Sequence, residues 1–141
     1  MELVIGRGLD NILFGMRETD VVAVLGSPDK GYEEDGERRL CFNQLRCSFW
    51  FSDDRLHWIR CANSKLTLFG KHLYNRPSEE AIVFLSSKLK ESPELEDYGE
   101  WESHIFPQHW LELQFDYDTL SKVCFGHLFG EDDEPVWPIS D

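Results

Sequence analysis

Arg46-Cys47-Ser48-Phe49-Trp50-Phe51-Ser52-Asp53-Asp54-Arg55-Leu56-His57-Trp58-Ile59-Arg60-Cys61-Ala62 is the stretch on which the fold turns. Side chains alternate between the two faces of a strand. Cys47, Phe49 and Phe51 therefore share one face, and Arg46, Ser48 and Trp50 the other. Ser52-Asp53-Asp54 supplies turn residues, and positions 56–62 read as the returning strand of a β-hairpin. Residues 39–42 form a shorter strand ahead of it.

Outward from this hairpin, residues 11–20 open a helix whose apolar face is Val21, Val22, Val24 and Leu25. Gly26-Ser27-Pro28-Asp29 stops it, because Gly suits the left-handed cap and Pro cannot continue the ladder. A polar turn covers residues 33–37. After the hairpin, a loop over residues 63–75 leads to a second helix. Ser78 is its N-cap after Pro77, Glu79 and Glu80 lie in its first turn, and Ala81, Ile82, Phe84, Leu85 and Leu89 form its buried stripe. Glu91-Ser92-Pro93-Glu94 ends it, and an acidic connector runs on to Glu102. Strands resume at 101–106 and 110–115, turn at Asp116-Tyr117-Asp118, and return over 120–129. The acidic tail, 131–141, reads as loose, with Val136, Trp137 and Ile139 available to dock it.

The hairpin recurs. Laying residues 42–61 over 106–125, a constant shift of 64, pairs Phe42/Phe106, Gln44/Gln108, Phe51/Phe115, Asp54/Asp118 and Leu56/Leu120 as identities. Each copy is preceded by a helix, residues 20–25 and 80–85 aligning at a shift of 60. This supports a duplication, and two alike helix-plus-hairpin units shaped by the same physics is the alternative. The expected fold is α+β: one domain over 1–141 of two tandem helix-plus-antiparallel-sheet repeats, about 9–70 and 71–130. One continuous sheet carries its helices on one face. The opposite face is then open and carries Arg46, Ser48, Trp50, Trp58 and Arg60 in the first repeat, and Trp110, Glu112 and Gln114 in the second. Exposed Trp marks binding surfaces, whereas each Trp taken singly is as readily part of a larger core.

At 141 residues with 41% hydrophobic and 13% aromatic content, the chain can close a core without disulfides or metal. Its start, Met1-Glu2-Leu3-Val4-Ile5-Gly6, has neither the basic opening nor the apolar run of an export signal, which points to the cytoplasm. Cys41, Cys47, Cys61 and Cys124 are then expected as reduced thiols, since disulfides are rare there. Residues 1–90 hold 13 acids and 13 bases, whereas residues 91–141 hold 14 acids and one base, Lys122. Such a field repels nucleic-acid phosphates and steers a basic partner to the surface; a solubilising role is the competing reading.

The run Ile12-Leu13-Phe14-Gly15-Met16-Arg17-Glu18-Thr19-Asp20-Val21-Val22-Ala23-Val24-Leu25-Gly26-Ser27-Pro28-Asp29 resembles the Gly-Met and Leu-Gly-x-Pro signature of the BamE/SmpA-like group. That group and the β-lactamase-inhibitory-protein-like (BLIP-like) modules share a helix–helix–sheet unit used for protein binding. Absence of an export signal makes the chain look more like a cytoplasmic bacterial immunity protein. The resemblance implies a cognate, basic toxin as partner, a nuclease among the candidates, covered by the open face. No nucleic acid, membrane or cofactor is implied, and oligomeric state is left open. The binding set is Trp50, Trp58, Trp110, Glu112, Gln114, Asp116, Tyr117 and Asp118, with Glu100 and Glu102 of the connector. A general assembly module of BamE/SmpA-like fold is the alternative, and an acidic DNA mimic the third.

Chemistry is not signalled. His57, His72, His104, His109 and His127 show no HExxH spacing, and no CxxC pair is present. Asp53/Asp54 and Asp116/Asp118 sit at hairpin turns, where Asp is used for turn geometry. The chain is read as neither an enzyme nor a metal protein.

Overall fold

The computed structural model describes residues 1–139, so residues 140 and 141 of the acidic tail lie outside the described residues. Strands β1 (Glu2–Val4), β2 (Gly8–Leu9) and β3 (Ile12–Leu13) precede helix α1 (Glu18–Leu25). A four-strand meander follows: β4 (Lys30–Glu34), β5 (Glu37–Phe42), β6 (Cys47–Ser52) and β7 (Arg55–Cys61). Then β8 (Thr67–Leu68), β9 (Lys71–His72) and helix α2 (Ser78–Leu89) lead into a second meander. It comprises β10 (Glu94–Asp97), β11 (Trp101–Phe106), β12 (Leu111–Asp116) and β13 (Thr119–Gly126). A final hairpin, β14 (Leu128–Phe129) and β15 (Pro135–Val136), closes the described chain.

The two meanders join into one antiparallel sheet in the order β10-β11-β12-β13-β7-β6-β5-β4. Its centre is the β13/β7 pair, with Val123 opposite Cys61 and Phe125 opposite Ile59. The inward face carries Leu40, Phe42, Phe49, Phe51, Leu56, Ile59, Leu111, Leu113, Phe115, Leu120, Val123 and Phe125, all buried. Val21 of α1, Ala81, Leu85 and Leu89 of α2, and Leu3, Leu9 and Leu68 of the smaller five-stranded sheet complete the same core.

The α+β, BLIP-like expectation is corrected on two counts. The protein is mostly β, with 45% of its residues in strands and two helices of eight and twelve residues. Segments read as loop or helix are strands instead. Strand β4 is Lys-Gly-Tyr-Glu-Glu and β10 is Glu-Leu-Glu-Asp, both at sheet edges and with no buried residue. Charged edges discourage pairing with other chains, and they carry no apolar alternation to read. Helix α1 also starts seven residues later than position 11, because Ile12 and Leu13 pair with β2. The Gly15 N–H donates to the Leu56 carbonyl at 2.9 Å, and the Leu56 N–H to the Met16 carbonyl at 2.8 Å. Residues 15 and 16 thus spend their hydrogen bonds on β7, not on a helical turn. Gly15 has φ of 94°, and a Cβ there would lie 3.1 Å from the Trp137 ring. That contact corrects the loose tail: Trp137 packs against the core.

A shift of 64 carries one central hairpin onto the other in detail. Cys47↔Cys61 becomes Leu111↔Phe125, and the bulge between Trp50 and Phe51 becomes that between Gln114 and Phe115. The turns correspond too, Asp53 and Asp54 against Tyr117 and Asp118, all with positive φ. Each turn caps a helix. The Glu18 N–H donates to Asp54 Oδ1 at 3.1 Å, and the Ser78 N–H to Asp118 Oδ1 at 3.0 Å. A free helical N–H needs such an acceptor. On the outward face, the Trp58 ring lies across Gly126, where a Cβ would sit 2.7 Å from ring atom Cε3.

Two outcomes are expected from this frame. The Ser78 hydroxyl and amide hold the Asp118 carboxyl below its ordinary pKa of 3.8. A depressed pKa means the contribution is complete above that value and lost as pH falls through the lower, folded one. Urea midpoints should therefore separate wild type from Asp118→Ala at pH 7, with the gap closing below pH 3.8; a pH-independent gap contradicts the cap. Gly126→Val should cost about 1–3 kcal/mol by overpacking and shift tryptophan emission as Trp58 is displaced, read by urea denaturation and fluorescence.

Candidate functional site

On the outward face of the large sheet, Trp50, Trp58, Arg60, Glu112, Gln114 and Lys122 are all half-buried. Register lines its residues up across strands. One row runs Tyr32, Arg39, Trp50, Trp58, Gly126. The next runs Lys30, Cys41, Ser48, Arg60, Cys124, Glu112, Ile105, Glu94. The Arg39 guanidinium lies 4.8 Å from the centre of the Tyr32 ring and 5.4 Å from that of Trp50. Arg60 lies 5.1 Å from the Trp50 ring. Stacked guanidiniums keep their N–H edges free for an acceptor.

At one end of these rows is a cavity of about 390 Å³ whose polar lining is Asn43, Arg46, Ser48, Arg60, Lys122 and the Cys41 thiol. No carboxylate lines it. Among the described residues, Arg46, Arg60 and Lys122 have no ion-pair partner, whereas Arg38, Arg39, Lys71 and Arg76 each have one. The Arg46 Nε donates to the Ala62 carbonyl at 3.0 Å, which fixes that side chain at the sheet end. Burial would raise the Cys41 thiol, but hydrogen bonds from Ser48 and Arg39 and the charges of Arg39 and Arg60 outweigh it, and its pKa is lowered. The pocket therefore favours negative charge.

The other end of the face has the opposite character. Glu112 accepts a 2.7 Å hydrogen bond from the fully buried Ser103 hydroxyl. Tyr98 stacks on Trp101 at 4.0 Å, and its hydroxyl donates to Glu96. Cys124, on the intervening strand, is pushed up to about 12 by burial and by Glu112. Cations and carboxylates are thus segregated along one surface.

The expected binding residues do not form one patch. Trp50, Trp58, Glu112 and Gln114 share the outward face. Trp110 sits beyond the start of β12 in the left-handed region, 43% exposed and 5.0 Å from the Phe129 ring. Asp116, Tyr117 and Asp118 lie at the far end of that strand, and Asp118 is occupied in capping α2. Glu100 and Glu102 line a cleft of about 180 Å³ with Tyr117 and Asp118, and Glu102 Oε1 lies 3.1 Å from His104 Nε2. The basic pocket was missed as a unit. Its one signal was Lys122, the sole base after residue 90, whose position beside Arg46 and Arg60 only the β13/β7 pairing creates.

Among the described residues no three His, Cys, Asp or Glu side chains converge to hold a metal, and no helix is long and apolar enough to cross a membrane. No protein-family model matches the chain, and no curated protein matches it in sequence. Solved structures do. An extracellular protein containing a SCP domain from Bacillus anthracis matches over 90% of this chain and 48% of its own, at TM-score 0.58 and 14% identity. A cysteine-rich secretory protein from Staphylococcus aureus matches over 80% of this chain and 42% of its own, at TM-score 0.48 and 13% identity. The likeness in fold to the first of these overturns the resemblance to BamE/SmpA-like and BLIP-like modules. The immunity-protein reading falls with it, as do the BamE/SmpA-like assembly module and the DNA mimic read from the acidic second half. The cytoplasmic assignment is corrected as well, since the matched protein is described as extracellular. The fold is one that occupies about half the length of an extracellular bacterial protein carrying a SCP domain.

Proposed function

We propose that the chain is a non-catalytic recognition module, one unit of a larger architecture, whose open sheet face holds a ligand through a compact anion such as a carboxylate, sulfate or phosphate. The observation that carries this is the pocket of Arg46, Arg60 and Lys122. In a chain with 27 acids and 14 bases, three neighbouring cations have no carboxylate beside them. Mutual repulsion of unpaired cations costs stability, so their grouping calls for an anion that offsets it. Two guanidinium forks and an ammonium suit a group with several acceptor oxygens. The Trp50 ring, already flanked by Arg39 and Arg60, offers a flat apolar wall for whatever the anion is attached to.

Recognition without catalysis is supported by the pocket's own residues. It has no His, and its thiol is held by Ser48 and Arg39 with no general base alongside. That the matched extracellular protein is about twice as long supports a module working beside other domains. A second reading rests on Glu94, Glu96 and Glu112 at the far end of the same face, which suit a basic partner.

Titration with citrate, pyrophosphate and sulfate, followed by tryptophan fluorescence and calorimetry, tests the first reading. Saturable binding is expected, weakened about tenfold or more by Arg60→Gln and by Lys122→Gln and unaffected by Glu112→Gln, since hydrogen bonds to charged groups are worth about 1.5–3 kcal/mol. Absence of saturation with every anion, or equal affinity in the Arg60 and Lys122 variants, rejects it.

A further inference from the structure

Cys47 and Cys61 face each other directly across β6 and β7. The next rung outward has the Ala62 N–H donating to the Arg46 carbonyl at 2.8 Å, so the Cys47/Cys61 rung is itself a non-hydrogen-bonded one. At such rungs the Cα atoms lie about 4.5 Å apart and the side chains approach most closely. That separation falls at the short end of the range that a disulfide spans, about 4.4–6.8 Å. The two sulfurs are 3.1 Å apart, with Cys47 donating to Cys61. Both are buried. The other two thiols differ: Cys41 and Cys124 lie on the outward face, separated by Ser48 and Arg60 in the same row.

We infer that Cys47 and Cys61 are a redox pair, which forms a cross-strand disulfide when the hairpin meets a low-molecular-weight disulfide such as oxidised glutathione. The exchange balances in two steps. One protein thiolate attacks the small disulfide, forming a mixed disulfide and expelling one small thiolate. The second protein thiolate attacks the protein sulfur of that mixed bond, closing Cys47–Cys61 and expelling the other. Two protons leave the protein, and its two electrons pass to the small disulfide. Cys47 lies in the strand segment that lines the outward cavity, so the pair sits directly beneath it. The hydrogen bond that Cys61 accepts from Cys47 lowers the Cys61 pKa.

The bond would staple the rung next to Ser48 and Arg60, at the wall of the basic pocket, without using either residue. Closing a loop of this length restricts the unfolded chain and should raise the melting temperature by about 10 °C.

The test uses the full chain, incubated with oxidised glutathione or with dithiothreitol, then denatured for thiol counting and digested for peptide mapping. The expected result is four thiols after reduction and two after oxidation, with the peptides holding Cys47 and Cys61 joined within one chain. The double variant Cys41→Ser/Cys124→Ser should still lose both of its remaining thiols and gain the same melting shift. Retention of four thiols after oxidation, or a bond that includes Cys41 or Cys124, overturns the inference. Because the mapping is done on wild type, its outcome does not depend on whether a Cys47→Ser variant folds.

Discussion

One-sided burial under the large sheet is the constraint on which the other features rest. Phe49, Phe51, Phe115 and Phe125 are at most 1% exposed on its inward face. Each such side chain contributes about 1.5–3 kcal/mol by leaving water. Because side chains alternate, committing these residues inward commits their neighbours Ser48, Trp50, Glu112, Gln114 and Cys124 outward. A one-residue slip in any central strand would exchange the two sets, so the outward pattern is held in place by the inward one.

The outward surface then has to accommodate charge in a strongly acidic chain. Some bases are paired with acids: Arg38 with Glu18, Arg39 with Glu34, Lys71 and Arg76 with Glu80. These partly exposed pairs each contribute little. Arg46, Arg60 and Lys122 are instead grouped with one another, brought to one cavity by the turn before β6, by β7 and by β13. A field of this kind needs the surrounding carboxylates kept away, and Glu112, the nearest acid of the row, is separated from Arg60 by Cys124 and turned onto Ser103.

What could be read from the chain follows the same division. The strand pairs β6/β7 and β12/β13, the shift of 64 and the inward set Cys47, Phe49 and Phe51 were legible because burial imposes period-2 alternation. Strands β4 and β10 were not, since an edge strand with both faces wet owes nothing to hydrophobic pattern. The start of α1 was misread because Gly15 and Met16 hydrogen-bond to Leu56, a partner 41 and 40 positions away that no local signal announces. The site was least legible of all. Dividing the charges along the chain assigned all of residues 91–141 an acidic role, yet the sheet brings their single base, Lys122, against Arg46 and Arg60.

The two central hairpins allow structure and specialisation to be separated. Under the shift of 64, inward positions keep their character: Phe49 against Leu113, Phe51 against Phe115, Leu56 against Leu120, Ile59 against Val123. Outward positions do not. Arg46 stands against Trp110, Ser48 against Glu112, Trp50 against Gln114, Trp58 against Lys122, and Arg60 against Cys124. Arg46 and Trp110 even share the same left-handed backbone, with φ of 54° and 49°, while carrying a cation and an indole. The requirements of folding act equally on both hairpins and explain the inward likeness. They place no such demand on side chains that half face water, so the outward positions are free to differ. On the proposed reading, the physical asymmetry between its ends, cationic and aromatic at β5–β7 and acidic at β10–β12, is what would select a ligand.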